Sequence, residues 1–269
     1  MPQPSATAGQ YPLYIGFNSQ NQGETYGILI WDGVNNPVNK TINDGMSGNI
    51  VNAIAIKSAT QVYIATNGGI DLWNGTSFTN IVNGGPFGQV TSMALRSNGD
   101  LCIGTYFNGL YIYDGNNLTN FTTNEGLVSN TCYNIVVDSS DTLYIQHHAG
   151  WGGTPGISKV LAGSNSIGTY FVGDDIKSIT ICSNGNIYFV KFYNQIWSWD
   201  GNSNTANYVD NFAINYGSDR LFSNSGIVYF PGQSAQLSTY DSSNGNVAAY
   251  GPAGGNQGLT FNSMAFLEG

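Results

Sequence analysis

One pattern recurs along this chain with a period of about 40 residues, and every copy of it reads as short strands. The clearest copy is 90–122, VTSMALRSNGDLCIGTYFNGLYIYDGNNLTNFT. Within it Val90–Leu95 alternates large and small apolar residues, and Ser97-Asn98-Gly99-Asp100 forms a turn. Leu101–Thr105 and 109–113 read as the next two strands, and Asp114-Gly115-Asn116 turns the chain into 118–122. Strands of this length, bounded by Gly, Asn and Asp, form an antiparallel meander. A meander with two apolar faces cannot bury both alone, so it needs copies of itself on either side.

The copies are present. The first strand recurs at 51–56 (VNAIAI), 132–137 (CYNIVV), 176–181 (IKSITI) and 261–266 (FNSMAF). Copies of the second are 13–17, 62–66, 143–147, 187–191 and 228–232. The third recurs at 27–33 (GILIWDG), 69–75 (GIDLWNG) and 195–201 (QIWSWDG), and loosely at 156–163 and 236–241. A four-stranded propeller blade has this period. The expected fold is therefore all-β: a six-bladed β-propeller of four-stranded antiparallel blades over residues 11–269. The chain opens with the second to fourth strands of one blade and ends on a first strand with nothing after it. That C-terminal strand is expected to join the N-terminal blade and close the ring, satisfying the backbone at both ends.

The first strands carry small residues in two columns, Ala53, Ser92, Asn134, Ser178 and Ser263, then Ala55, Ala94, Val136, Thr180 and Ala265. Between them lie Ile54, Met93, Ile135, Ile179 and Met264. Because a strand shows its sides alternately, the small set is expected to face a crowded axis and the large set to pack between blades. The sixth copy departs from this with Asp219 and Arg220, read as a register slip or an internal ion pair.

Residues 110–145 carry a family likeness. Gly109, Leu110, Tyr113, Asp114 and Gly115 match a G-L-x-x-Y-D-G segment. Thr123, Gly126, Leu127, Ser129 and Asn130 match a following turn, and Asp138, Ser139, Leu143 and Ile145 a D-S-x-G-x-L-W-I-G segment, with Tyr144 in place of Trp. The string resembles the repeat of two-component-regulator-type β-propellers, most clearly in blades two to four. These are turn and packing positions, so the resemblance implies a fold rather than an activity.

Composition narrows the function. Only 9% of residues are charged, so the surface is built from Asn, Ser, Thr, Gly and Tyr. Net charge is −9 with seven scattered Lys plus Arg, which leaves no basic groove for phosphates and excludes nucleic-acid partners. No apolar run is long enough to span a bilayer. The segment 1–10, MPQPSATAGQ, lacks the basic and apolar regions of a secretory signal. It is either a frayed tail or an N-terminal arm held by other proteins of an assembly, and attachment is the reading adopted. Cys102, Cys132 and Cys182 fall on strands without metal-type spacing and are expected to be buried free thiols.

Enzymatic chemistry finds little support. Sialidase-like propellers need three arginines on a carboxylate, and this chain has Arg96 and Arg220 alone. No nucleophile elbow accompanies the two histidines, His147 and His148. Axial oxygen ligands are too few for calcium, so no metal or cofactor is expected. Asp174-Asp175 reads as a solvated turn. Four N-x-S/T strings, at Asn39, Asn74, Asn117 and Asn120, need an export route to be glycosylated.

Binding is the better prospect. Loops joining second to third strands emerge on one face. They bring Tyr106 and Phe107, then His147, His148 and Trp151, then Phe192 and Tyr193, to one rim. Aromatic faces among Asn, Gly and Ser suit sugar stacking and adaptable protein contacts. A surface that looks extracellular, with no export signal, is reconciled by a non-enzymatic virion surface protein: a capsid, tail or fibre decoration that binds a host receptor or glycan through this rim. The alternative is a free carbohydrate-binding lectin or a ligand-sensing propeller.

Overall fold

A computed structural model describes residues 12–17, 27–32, 35–58, 60–83, 85–149, 152–164, 166–191, 195–211, 221–224, 226–231 and 237–250. Apart from one 3-10 turn, Ile42–Asp44, every regular element among these residues is a strand. The strands form six antiparallel sheets that follow one another along the chain. The first sheet has three described strands, Leu13–Gly16, Ile28–Trp31 and Val38–Lys40. The second comprises Val51–Ser58, Gln61–Thr66, Gly69–Trp73 and Phe78–Asn83. Val90–Leu95, Leu101–Thr105, Leu110–Tyr113 and Leu118–Phe121 make the third. In the fourth are Cys132–Val137, Leu143–His147, Gly156–Val160 and Ile167–Tyr170. The fifth holds Ile176–Ile181, Ile187–Lys191, Gln195–Trp199 and Asn207–Asn211. Phe222–Asn224, Ile227–Pro231, Leu237–Asp241 and Val247–Tyr250 complete the sixth. The arm 1–10, Asp219, Arg220 and the expected closing strand 261–266 lie outside the described residues.

Period-2 alternation decides how the sheets stack. In the second strand of the second sheet, Val62 and Ile64 pack with Tyr14 and Ile28 of the sheet before. Tyr63 and Ala65 instead pack with Leu101 and Ile103 of the sheet after. The fourth sheet repeats the rule: Leu143 and Ile145 look back to Cys102 and Leu110, while Tyr144 looks forward to Ile187 and Trp199. The second to fifth sheets are thus each sandwiched by their chain neighbours, and the apolar cores lie between sheets, as in propeller blades. Fully burying side chains of this size stabilises by about 1.5–3 kcal/mol each.

The repeated small and polar letters have local causes. A Cβ on Gly109, where φ is 82°, would sit 2.1 Å from the Phe121 carbonyl oxygen of the fourth strand. At Gly27 the same clash, with the Lys40 oxygen, would be at 2.0 Å. The Asp after the third strand folds the next turn: Asn116 and Asn117 backbone N–H groups donate to Asp114 Oδ1 at 2.8 and 2.7 Å. Asp32, Asn74, Asp200 and Asp241 accept in the same way. The loop after the third sheet is closed by Glu125, which accepts from Thr122 N at 2.7 Å, and by Asn130, which accepts from Thr123 N at 2.9 Å. Asp44 and Asn49 do the same for Thr41 and Ile42 after the first sheet. This second copy of the turn escaped the sequence reading because Asp replaces Glu and Met46 replaces Leu127.

The first strands correct one expectation. The large set does pack between sheets, against the sheet before: Met93 with Ala65, and Ile135 with Cys102. The small set faces the next sheet rather than the crowded axis. Ser92 Oγ accepts from Ile135 N at 3.2 Å, and Asn134 Nδ2 donates to Ile179 O at 2.9 Å. Ser178 Oγ accepts from Leu221 N at 2.8 Å. Successive first strands converge there, so only short side chains fit, and the polar ones bond across the gap.

Candidate functional site

Second-to-third-strand loops and the loops entering each new sheet lie on one face, because strands alternate in direction. Hydrogen bonds tie them together: Asn67 N to Ile50 O at 3.0 Å, Tyr106 N to Gln89 O at 2.9 Å, and Gly109 N to Asn130 O at 2.9 Å. At this end of the first strands the pairing register shifts by one residue in four successive sheets. The residues skipped are Asn52, Thr91, Tyr133 and Lys177. A bulge of this kind re-aims side chains at the rim of a sheet.

Phe107 projects from this face and is 61% exposed, more than any other large hydrophobic side chain among the described residues. Its ring meets Tyr106 edge-on with centroids 4.7 Å apart. Ile42 and Val172, also largely exposed, belong to entry loops on the same face. In the next sheet the His148 ring lies 5.4 Å from Tyr133, tilted by 32°. The rim therefore gathers Tyr106, Phe107 and His148, and adds Tyr133, whose bulged position no sequence signal marks. Trp151, Phe192 and Tyr193 lie outside the described residues.

His147 is not a rim residue. It is 0% exposed, facing the third sheet. Its Nδ1 lies 3.0 Å from the Thr131 carbonyl oxygen, an acceptor only, so Nδ1 carries the proton. Nε2 then accepts from Ser158 Oγ at 2.7 Å, and Ser158 Oγ accepts from Val128 N at 3.0 Å. Burial pushes the imidazole pKa down to about 4, so the ring is neutral. The pair has the look of a Ser–His dyad, but Ser158 is also 0% exposed and no substrate reaches it. Strand alternation explains the placement: His147 shares a side with Leu143 and Ile145, and His148 is the first residue past the strand.

Asp174 and Asp175 are not a free solvated turn. Lys191 Nζ stands 2.6 Å from Asp174 Oδ2, and Lys177 Nζ 2.9 Å from Asp175 Oδ2. The same Lys191 ammonium lies 4.9 Å from the Trp197 ring centroid, 5.4 Å from Phe171 and 5.9 Å from Phe189. Nearby, Gln146 Nε2 donates to Ile176 O at 2.7 Å. Gln146 Oε1, Asp175 Oδ1 and Trp197 Nε1 are buried without hydrogen-bond partners. All three belong to the joint between the fourth and fifth sheets. Cys102, Cys132 and Cys182 are free and buried. No cluster of three or more His, Cys, Asp or Glu occurs among the described residues.

No protein family model and no curated protein sequence matches the chain. Solved structures do. The extracellular domain of a one-component system from B. thetaiotaomicron is similar with a TM-score of 0.65 and 12% identity, over 91% of this chain and 36% of that one. That of a hybrid two-component system from B. thetaiotaomicron gives 0.62 and 19%, over 93% and 36%. A catalytically inactive virginiamycin B lyase from Staphylococcus aureus gives 0.68 and 13%, over 91% and 86%. The chain thus spans about a third of the length of the two sensor structures. These similarities bear out the resemblance to two-component-regulator-type propellers. They overturn the virion reading. Two of these similar structures are extracellular domains of bacterial sensors and the third is a lyase, and none is a capsid, tail or fibre protein. That reading had rested on surface composition and on the first ten residues, neither of which distinguishes a particle from a secreted domain.

Proposed function

We propose that this chain is a ligand-sensing module: a six-bladed β-propeller spanning residues 11–269, displayed outside the cell, that binds its ligand on the loop face without chemical turnover. The observation that carries this reading is the exposed Phe107 ring on that face, with Ile42 and Val172 also exposed there and Tyr106, Tyr133 and His148 half-buried beside them. Phe107, Tyr106 and the Tyr133–His148 pair stand there while most other rings lie in the cores between sheets. Exposed rings on loops held by a rigid scaffold are the usual equipment of a binding surface. The sensor-domain similarities favour signalling over catalysis. The Ser158–His147 pair is sealed, which removes the nearest nucleophile among the described residues. Ring closure has its own support: the first sheet has three described strands, and 261–266 repeats the first-strand pattern.

The test is a thermal-shift screen of the chain against saccharides, amino acids and small organic acids, repeated with Phe107→Ala plus His148→Ala. A ligand that stabilises the parent and binds the double variant at least tenfold more weakly supports the loop face. A ligand bound equally by both moves the site elsewhere, and a turned-over ligand removes the sensing reading.

A further inference from the structure

The fifth sheet departs from the others at two repeat positions, and the two departures meet. Lys191 ends its second strand, where the second, third and fourth sheets have Thr66, Thr105 and His147. The repeat therefore does not need a charge at this place. Trp197 on the third strand pairs with Phe189, two residues before Lys191, where the others have, opposite Ile64, Ile103 and Ile145, the residues Asp71, Tyr111 and Ser158. Each of those ties down the loop entering its own sheet. Asp71 Oδ2 accepts from Ser47 N at 2.9 Å, Tyr111 OH donates to Pro86 O at 3.3 Å, and Ser158 accepts from Val128 N. Trp197 makes no such bond among the described residues and presents a ring instead. Phe171, in the entry loop, is held at φ 51°, a backbone region that a bulky residue occupies only under constraint, with its ring against Phe189 at 5.2 Å.

The result is a box of three ring faces and one carboxylate around a single ammonium group. Aromatic faces attract cations through their quadrupole, and they favour soft alkylated ammonium ions that shed water easily. Asp174 supplies the counter-charge, and its side chain is 45% exposed, so the box opens to solvent on that side. We propose that Phe171, Phe189, Trp197 and Asp174 form a receptor for an organic ammonium ion, with Lys191 as its resident intramolecular occupant. An external alkylammonium binds by displacing the lysine stem, and the tether of Lys191 sets the concentration it must reach. This goes beyond the loop-face reading and stands independently of it, since it uses none of Tyr106, Phe107, Tyr133 or His148.

The probe is tetramethylammonium chloride on the full chain carrying Lys191→Ala, read by melting temperature. Its neutral isostere, 2,2-dimethylpropanol, and sodium chloride at matched ionic strength serve as controls. The variant is expected to melt below the parent and to recover saturably with tetramethylammonium alone. The parent needs at least tenfold more of the ion for the same shift, because Lys191 competes. Equal recovery with the neutral isostere, or none with tetramethylammonium, overturns the proposal. Should Lys191→Ala not fold, Lys191→Gln retains the stem without the charge. Tetramethylammonium must then shift its tryptophan emission saturably, and adding Asp174→Asn must abolish the shift. A Lys191→Gln emission indifferent to the ion overturns the proposal equally.

Discussion

Two neighbouring joints of this molecule are built from different materials. Between the third and fourth sheets, polar side chains find backbone partners. Thr91 Oγ1 donates to Cys132 O, Ser92 accepts from Ile135 N, and Ser158 accepts from Val128 N. At the opposite face Ser97 N donates to Asp141 Oδ1 at 2.7 Å, and Arg96 Nε to Asp141 O at 3.1 Å. The Ser97 hydroxyl and backbone hold the Asp141 carboxyl below the usual carboxylate range. Between the fourth and fifth sheets, rings do the packing: Tyr144, Tyr170 and Phe171 surround Trp199 with centroids 4.8–5.7 Å away. Charged pairs stand at its loop end, where three of the four buried unpartnered polar atoms among the described residues also lie. A buried polar group without a partner costs about 1–3 kcal/mol. The loop end of the second joint therefore carries the larger share of this cost, three unpartnered atoms against the single Arg96 Nη2 at the first.

The sharpest way to break this contrast is to damage each joint in turn. His147→Ala leaves Thr131 O and the Ser158 hydroxyl unpaired and opens a cavity, so it is expected to lower unfolding free energy by about 3–5 kcal/mol in urea titrations. Acid tests the same residue. The folded pKa of about 4 lies below the ordinary 6.5, so between these values the unfolded chain binds a proton that the folded chain does not. Stability is present above about 6.5 and falls as pH drops toward 4, by about 3 kcal/mol in all. Melting curves across that window should show the loss, and His147→Gln should flatten it.

Smaller effects probe the other joint. Trp197→Phe removes an unpaired indole N–H while keeping a ring, so unfolding free energy should stay the same or rise by about 1 kcal/mol at most, with no fall in melting temperature. A clear drop would mean that the indole nitrogen has a partner. Thiol labelling sets the third–fourth joint against the fifth–sixth. Burial raises the Cys102 pKa to about 12 and that of Cys182, at the fifth and sixth sheets, to about 11. Cys132, beside Cys102, is raised further by complete burial. An aromatic disulfide reagent should therefore label Cys182 first, and Cys102 and Cys132 only on unfolding.

Much of the scaffold was legible because strand period and turn chemistry are local. Val90–Leu95 and Leu101–Thr105 run as the residues suggest, and the Asp or Asn after five of the six third strands folds the turn its type implies. Which neighbour a side chain faces was harder. Ser92 and Asn134 read as axial, yet bond to the next sheet, since alternation gives two sides without naming them. At the site, Tyr106, Phe107 and His148 could be found as rings and imidazole on a loop face. His147 could not be separated from its neighbour until the strand's end was known. Tyr133 and Lys177 sit at bulges where Asn52 and Thr91 also sit, and nothing in those four residue types announces a shift in register. The Lys191–Asp174 contact joins residues 17 apart in sequence, across a whole hairpin's entry, which no short motif encodes.

Native-state hydrogen exchange across the two joints tests the account most directly. The amides of Ile176–Ile181 at the fourth–fifth joint should exchange at least tenfold faster than those of Cys132–Val137 at the third–fourth joint, because about 1.4 kcal/mol is a factor of ten. Equal protection in the two strands, or greater protection in Ile176–Ile181, would contradict the placing of the larger unpartnered-atom cost at the fourth–fifth joint.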